Sequence, residues 1–278
     1  MKKFKLLIAN TSLIFFFLFL GNASFAEVLV LVHGFSSSGA TWYKHGTIPT
    51  LRRNGWQDGG SLVSHPALGV FHRGPERLLP YRTVTVDLPA EAPLELQAQV
   101  LQLYFDYMQQ QEPEQTFTII AHSVGGVAAR LMLINKPNPK IHRLITIASP
   151  HLGSGMAEVA EFVAKTPLSI FGSVVELDDI DDAKILLNQL QRESPNSFLY
   201  WLNRQPHPDL EYISIVRTKG TFTNKDFYVR SYSQDMNNIL GIKQSLFIPS
   251  FGEHELQYAD GFLIAQIVNA PPDKSNKE

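Results

Sequence analysis

Thr116-Phe117-Thr118-Ile119-Ile120-Ala121-His122-Ser123-Val124-Gly125-Gly126 is the stretch that decides the fold. Its first five residues have the apolar, β-branched character of a strand buried on both faces. A helical pattern takes over near Gly126 and carries Val127, Leu131 and Ile134 at helical spacing. Ser123 sits at the junction, with small residues two before it (Ala121) and two after it (Gly125). Those residues leave room for the sharp turn that lifts a serine hydroxyl clear of a sheet.

Upstream, Val28-Leu29-Val30-Leu31-Val32 reads as another buried parallel strand and runs into His33-Gly34-Phe35. Residues 40–54 suggest a helix broken around Pro49 and ended by Gly55. Gly59, Gly60, Pro66, Gly69, Gly74 and Pro75 then mark an irregular connection. Tyr81 to Asp87 is a strand, and Leu94 to Gln111 is a helix with Leu96, Val100, Leu103 and Tyr107 on one spacing, closed by Pro113. Downstream of Ser123, Leu144 to Ala148 is a strand that ends in Ser149-Pro150-His151-Leu152-Gly153. Tyr212 to Val216 and Ser245 to Pro249 are the last strands. Strands alternating with helices predict an α/β protein with a mostly parallel sheet covered on both faces. In such sheets ligands sit at the carboxyl ends of the strands, where Ser123, His33-Gly34 and the Ser149 turn all fall.

With the Ala-His-Ser-Val-Gly turn, the His33-Gly34-Phe35 loop and the Ser149 to Gly153 turn in place, the chain resembles the α/β-hydrolase superfamily. Within it, the resemblance is to bacterial triacylglycerol lipase-like and GPI inositol-deacylase-like serine hydrolases, and it extends from about Val28 to Val268. It implies Ser123 as nucleophile, followed in chain order by an acid and a histidine on late loops. Asn224-Lys225-Asp226-Phe227-Tyr228-Val229 through Ser233-Gln234 resembles the family's acid-bearing stretch, so Asp226 is the expected acid. The family's glycine after this aspartate is Phe227 here, and Asp235 in the same loop is the alternative. His254, in Phe251-Gly252-Glu253-His254-Glu255-Leu256, takes the place of the family histidine before a helix through Ile264 and Val268. The backbone N–H groups of Phe35 and Val124 are the expected oxyanion donors.

Between about residues 154 and 210 the β/α alternation stops, and helical pieces replace it, 156–165 and 183 to about 203, the latter interrupted by Pro195. This insertion resembles a lipase lid, with Phe162, Val163, Leu168, Ile170 and Phe171 suited to cover an acyl cleft. A packed excursion that never moves accounts for it equally well. The acidic run Glu176, Asp178, Asp179, Asp181 and Asp182 reads as a solvated loop and helix start, without the spacing of a calcium loop. No cofactor or metal is implied.

The first 26 residues read as a signal peptide: Lys2, Lys3 and Lys5, an apolar run ending at Leu20, then Ala23-Ser24-Phe25-Ala26. Cleavage near Ala26 would leave 21 basic against 26 acidic residues, a net charge of −5, in a periplasmic or extracellular chain. That balance shows no nucleic-acid footprint. With 44% hydrophobic residues and no cysteine, residues 27–270 are expected to form one domain without disulfides, followed by a disordered tail over 271–278. The function these readings imply is hydrolysis of carboxylic esters, lipids among them, with transient membrane-surface contact through the lid. An acyltransferase with the same three residues and a non-catalytic binding protein of this fold stay open. Of the other histidines, His122 is expected to pack beside the turn and His33 to shape the oxyanion loop. His151 is expected to pack, and His45, His65, His72, His142 and His207 to lie on the surface or in loops.

Overall fold

In the computed structural model, which describes residues 26–74, 80–155, 177–218 and 229–270, an eight-stranded sheet forms the centre. In chain order its first elements are β1 (Glu27–Val32), α1 (Thr41–Lys44), α2 (Thr47–Arg53), β2 (Gln57–His65), β3 (Gly69–Arg73) and β4 (Tyr81–Val86). Next come α3 (Leu94–Gln111), β5 (Thr116–His122), α4 (Val124–Asn135), β6 (Ile141–Ile147), α5 (Leu177–Gln189) and α6 (Phe198–Leu202). The chain ends with β7 (Glu211–Arg217), α7 (Ser231–Gln234), a 3₁₀ turn over Met236–Asn238, β8 (Leu246–Ser250) and α8 (Tyr258–Asn269). The sheet order is β3-β2-β4-β1-β5-β6-β7-β8, parallel throughout except for the β2/β3 pair.

Alternation along the strands divides the core between two faces. Val28, Val30, Val32, Phe117, Ile119 and Leu144 join the cluster beneath α3 and α4, while Leu29, Leu31, Ile120, Ile145 and Ile147 meet α2 and α8 on the other. A strand sandwiched this way must be apolar at every position, which is why these runs lack polar alternation. Leu186, Leu190, Leu199 and Leu202, from the helical stretch between β6 and β7, are buried in the first cluster.

Two expectations change, and a third element gains a face. The stretch from Gly59 to Gly74 is no irregular connection: it forms the β2/β3 hairpin that closes one sheet edge, with β2 parallel to β4. The helical segment over 40–54 breaks at Gly46, and Pro49 lies inside the first turn of α2, where its missing N–H costs no hydrogen bond. In α3 the sheet-facing side is Leu94, Ala98, Leu101, Tyr104, Phe105 and Met108, whereas Leu96 and Leu103 point outward. The helix predicted over 156–165, the apolar lid residues 162–171, Glu176, the signal peptide to residue 25 and the tail from 271 lie outside the described residues. The interruption at Pro195 separates α5 from α6, and Asp178, Asp179, Asp181 and Asp182 fall in the first half of α5. None of the described helices is long and apolar enough to cross a membrane.

Candidate functional site

The register of the sheet builds the site. Val32 pairs with Ala121 and His122 with Ile147, so β1, β5 and β6 finish side by side and their following turns share one rim. Ser123, between β5 and α4, has φ 53° and ψ −128°, and its N–H donates to Ile147 O (2.9 Å). A positive φ in a residue with a side chain costs on the order of 1–3 kcal/mol and persists only where surrounding contacts enforce it. Two close approaches enforce it here. A Cβ on Gly34 would lie 2.9 Å from Ser123 Cβ, and one on Gly125 would lie 2.3 Å from His33 O. The loop after β1 therefore rests directly on the turn at Ser123, with no room for a methyl group between them. As the first residue of α4, Val124 has an N–H without an intrahelical acceptor, at the positive end of the helix dipole.

Ser123 Oγ lies 2.7 Å from His254 Nε2, and both side chains are buried. His254 comes from the β8–α8 connection, 131 residues away in sequence. The Asp226 segment, 219–228, lies outside the described residues. Asp235 is engaged elsewhere: its carboxylate accepts from the N–H and side-chain amide of Asn237, both at 2.9 Å, and caps the 3₁₀ turn.

The neighbouring imidazoles have assignable protons. His33 Nε2 accepts from Leu88 N–H (2.9 Å), so Nδ1 carries the proton and donates to Gly34 O (2.9 Å). Burial keeps this ring neutral by lowering its pKa. His33 thus clips the loop to the end of β4, in keeping with the expected shaping role. His122 Nε2 donates to His254 O (2.8 Å), which is more than the packing expected of it. Burial, then the nearby His254, hold His122 well below the usual imidazole range. A neutral ring donating through Nε2 fixes the backbone of the His254 loop.

A second buried network lies deeper. Arg130, fully buried in α4, donates to Asn203 Oδ1 (2.7 Å), to His207 Nε2 (3.0 and 3.1 Å) and to His151 Nδ1 (3.3 Å). Desolvation lowers its pKa to about 9, which leaves it cationic at neutral pH. His151 Nε2 reaches Thr146 Oγ1 (3.1 Å), so this ring too does more than the packing expected of it. His207 is not a plain loop residue: it is half-buried, its pKa lowered to about 4 by desolvation and then by Arg130. His72 likewise has a role, bonding Gly59 O (2.5 Å) across the hairpin. Among the described residues no group of His, Asp or Glu could hold a metal ion. A cavity of about 390 Å³ lined by Leu152, Glu193, Tyr200, Asn203, Arg204 and Tyr232 includes neither Ser123 nor His254.

Two residues that hold the His254 loop escaped the sequence reading: Arg217 and Asp260. Their signals were a charged residue closing the apolar run from Ile213 to Val216, and the spacing Gln257-x-x-Asp260 of a helix start.

The sequence model described as the PGAP1-like alpha/beta domain matches residues 94–166. The structure is similar to that of the lin2722 gene product of Listeria innocua, at 11% identity and TM-score 0.63, covering 88% of this chain and 95% of that one. It is similar also to the mature form of the Bacillus licheniformis lipase BlEst2, at 15% identity and TM-score 0.56, covering 86% and 90%. The metagenomic carboxyl esterase MGS0156 gives 13% identity and TM-score 0.56, with 87% and 75% covered. Comparison with curated protein sequences found no match. With the parallel sheet and its order, these likenesses identify the α/β-hydrolase fold.

Proposed function

We propose that this chain of α/β-hydrolase fold is an exported serine hydrolase that cleaves carboxylic esters, lipid esters among them, through an acyl-enzyme on Ser123. The observation that carries the reading is the 2.7 Å contact between Ser123 Oγ and His254 Nε2 at a strained, buried turn. A serine hydroxyl is too weak an acid to attack an ester unaided near neutral pH. His254 accepts its proton as Oγ bonds to the carbonyl carbon, then returns that proton to the departing alcohol. A water, activated by the same imidazole, attacks the acyl-serine and releases the carboxylic acid. Asp226 is the group that would hold the His254 tautomer and stabilise the imidazolium. The N–H groups of Phe35 and Val124 would receive the oxyanion, each contributing about 3 kcal/mol of transition-state stabilisation.

Two features support this assignment of roles. Ser123 Oγ is bonded to His254 Nε2, whereas His122, the other imidazole near Ser123, uses its Nε2 proton to anchor His254 O. The strain at Ser123 and the close approach of Gly34 are the devices a sheet-top nucleophile needs. The structural neighbours named as a lipase and a carboxyl esterase agree in chemistry. A fluorophosphonate probe should label the wild-type protein and fail to label Ser123→Ala. Equal labelling of both would sink the reading, and turnover of p-nitrophenyl esters of graded length would assign the acyl preference.

A further inference from the structure

The connection from Ser250 to Gln257 carries His254, and one guanidinium holds it. Arg217, at the end of β7, is fully buried and uses all five of its N–H donors. Nε donates to Glu253 O (2.9 Å) and Nη2 to Glu255 O (3.0 Å), the carbonyls on either side of His254. Nη1 donates to Ser250 Oγ (2.8 Å), at the start of the connection. Nη1 and Nη2 each meet one Asp260 carboxylate oxygen at 2.7 Å, and Asp260 Oδ2 also accepts from Gln257 N–H (2.7 Å) at the head of α8. The main chain of Arg217 makes a second set of bonds. Its N–H donates to Gln234 Oε1 (2.7 Å) and its carbonyl accepts from Ser231 Oγ (2.5 Å), while Gln234 Nε2 donates to Val229 O (2.7 Å). Those bonds tie the end of β7 to α7 and to Val229 before it.

We propose that Arg217, paired with Asp260, is a positioning residue: it sets His254 at working distance from Ser123 without touching substrate. The proposal rests on the reading of Ser123 and His254 as the reacting pair. A buried ion pair adds little stability over a well-packed apolar replacement, so stability alone is a weak reason for this one. The planar fork does something an apolar pair does not: it bonds two carbonyls that flank one residue, and fixes where that residue's side chain begins. His122 completes the clamp by donating to the carbonyl of His254 itself.

Two variants test this. Arg217→Lys keeps a cation beside Asp260, but its three donors on one nitrogen do not reproduce the fork. Arg217→Met with Asp260→Asn removes both charges and leaves an acceptor for Gln257 N–H. In each, kcat on p-nitrophenyl butyrate should fall about 100-fold, the cost of a misplacement of about 1 Å, with KM within about threefold. The pH profile of kcat/KM and the His254 imidazole NMR resonances should both move, while far-UV circular dichroism stays at wild type. A folded variant with wild-type kcat and unmoved His254 resonances overturns the proposal. So does failure of both variants to fold, since the pair would then serve the fold itself. If the wild-type protein hydrolyses no ester, the functional reading fails alone, and the His254 resonances in Arg217→Lys still decide the positioning role.

Discussion

Replacing Gly125 by alanine tests how closely the loop after β1 and the turn at Ser123 depend on each other. The new methyl carbon would stand 2.3 Å from His33 O and 2.9 Å from Val32 Cγ1. A carbon normally comes no closer to a carbonyl oxygen than about 3.3 Å, so the backbone at His33 must retreat by about 1 Å. The proposed donor Phe35 N–H lies two residues along and moves with it. A shift of about 1 Å at a reacting centre costs about 10²-fold, and complete loss of one oxyanion donor about 10²–10³-fold. We therefore expect kcat for p-nitrophenyl butyrate to drop between about 30-fold and 1,000-fold, with KM changed less than about threefold. Overpacking should also lower stability by about 1–3 kcal/mol, measurable by urea denaturation. Steady-state kinetics, with folded protein verified by near-UV circular dichroism, provide the assay. A folded Gly125→Ala protein with kcat within threefold of wild type would refute the coupling of this loop to the chemistry.

Other expectations follow from the same geometry. Asp226→Asn should lower kcat by about 10³–10⁴-fold, whereas Asp235→Ala, which removes only the cap on Asn237, should cost about 1 kcal/mol of stability and leave kcat within twofold. A large kinetic loss in Asp235→Ala with a small one in Asp226→Asn would reverse the choice of acid. Arg130→Met strips the donors from Asn203, His207 and His151 and should destabilise the fold by about 2–4 kcal/mol; a change under 1 kcal/mol would show that the network relaxes. His207 has its pKa lowered from 6.5 to about 4, so it gives up a proton on folding. The stability it carries is complete above pH 6.5 and drains away as the pH falls toward 4, by about 1–2 kcal/mol once its partial exposure is allowed for. Urea midpoints between pH 7.5 and 4.5 should fall less steeply in His207→Gln than in wild type, and identical slopes would rule out this origin. N-terminal sequencing of the exported protein should begin at Glu27, and an intact Met1 would rule out cleavage.

The strands on either side of Ser123 were legible because burial on both faces leaves no polar alternation to blur them, as at Val28–Val32 and Ile119–Ala121. The meeting of Ser123 with His254 was legible because a strand-to-helix turn and the order of late loops restrict where such residues can fall. The hairpin over Gln57–Arg73 was not, since its glycines imitate loop signals. Gly59 and Gly60 sit at a register shift in the β2/β4 pairing, where a Cβ on Gly59 would lie 2.8 Å from Thr83 O and one on Gly60 2.3 Å from Arg73 O. Those are the residues of a bulge pressed between neighbouring strands, and a bulge is a property of pairing that local composition does not record. The helix α3 was legible but its inward face was not, because Leu96, Val100, Leu103 and Tyr107 compete with Leu94, Leu101, Phe105 and Met108 at helical spacing. Only the position of the sheet chooses between two apolar stripes. Arg217 was missed for a related reason: two of its partners are the backbone carbonyls of Glu253 and Glu255, which any residue can supply, and Asp260 was missed because its guanidinium partner lies 43 residues away in sequence.

The backbone at Ser123, with φ 53° and ψ −128°, is a conformation that glycine adopts freely and a serine holds under duress. On the role proposed for Ser123, Ser123→Gly would be a stabilising change of roughly 1 kcal/mol and would end turnover. A screen for heat resistance alone would thus be drawn toward inert proteins. Directed evolution of this chain for thermal tolerance should keep an activity filter at every round, because the thermodynamic optimum at position 123 and the functional one are different amino acids.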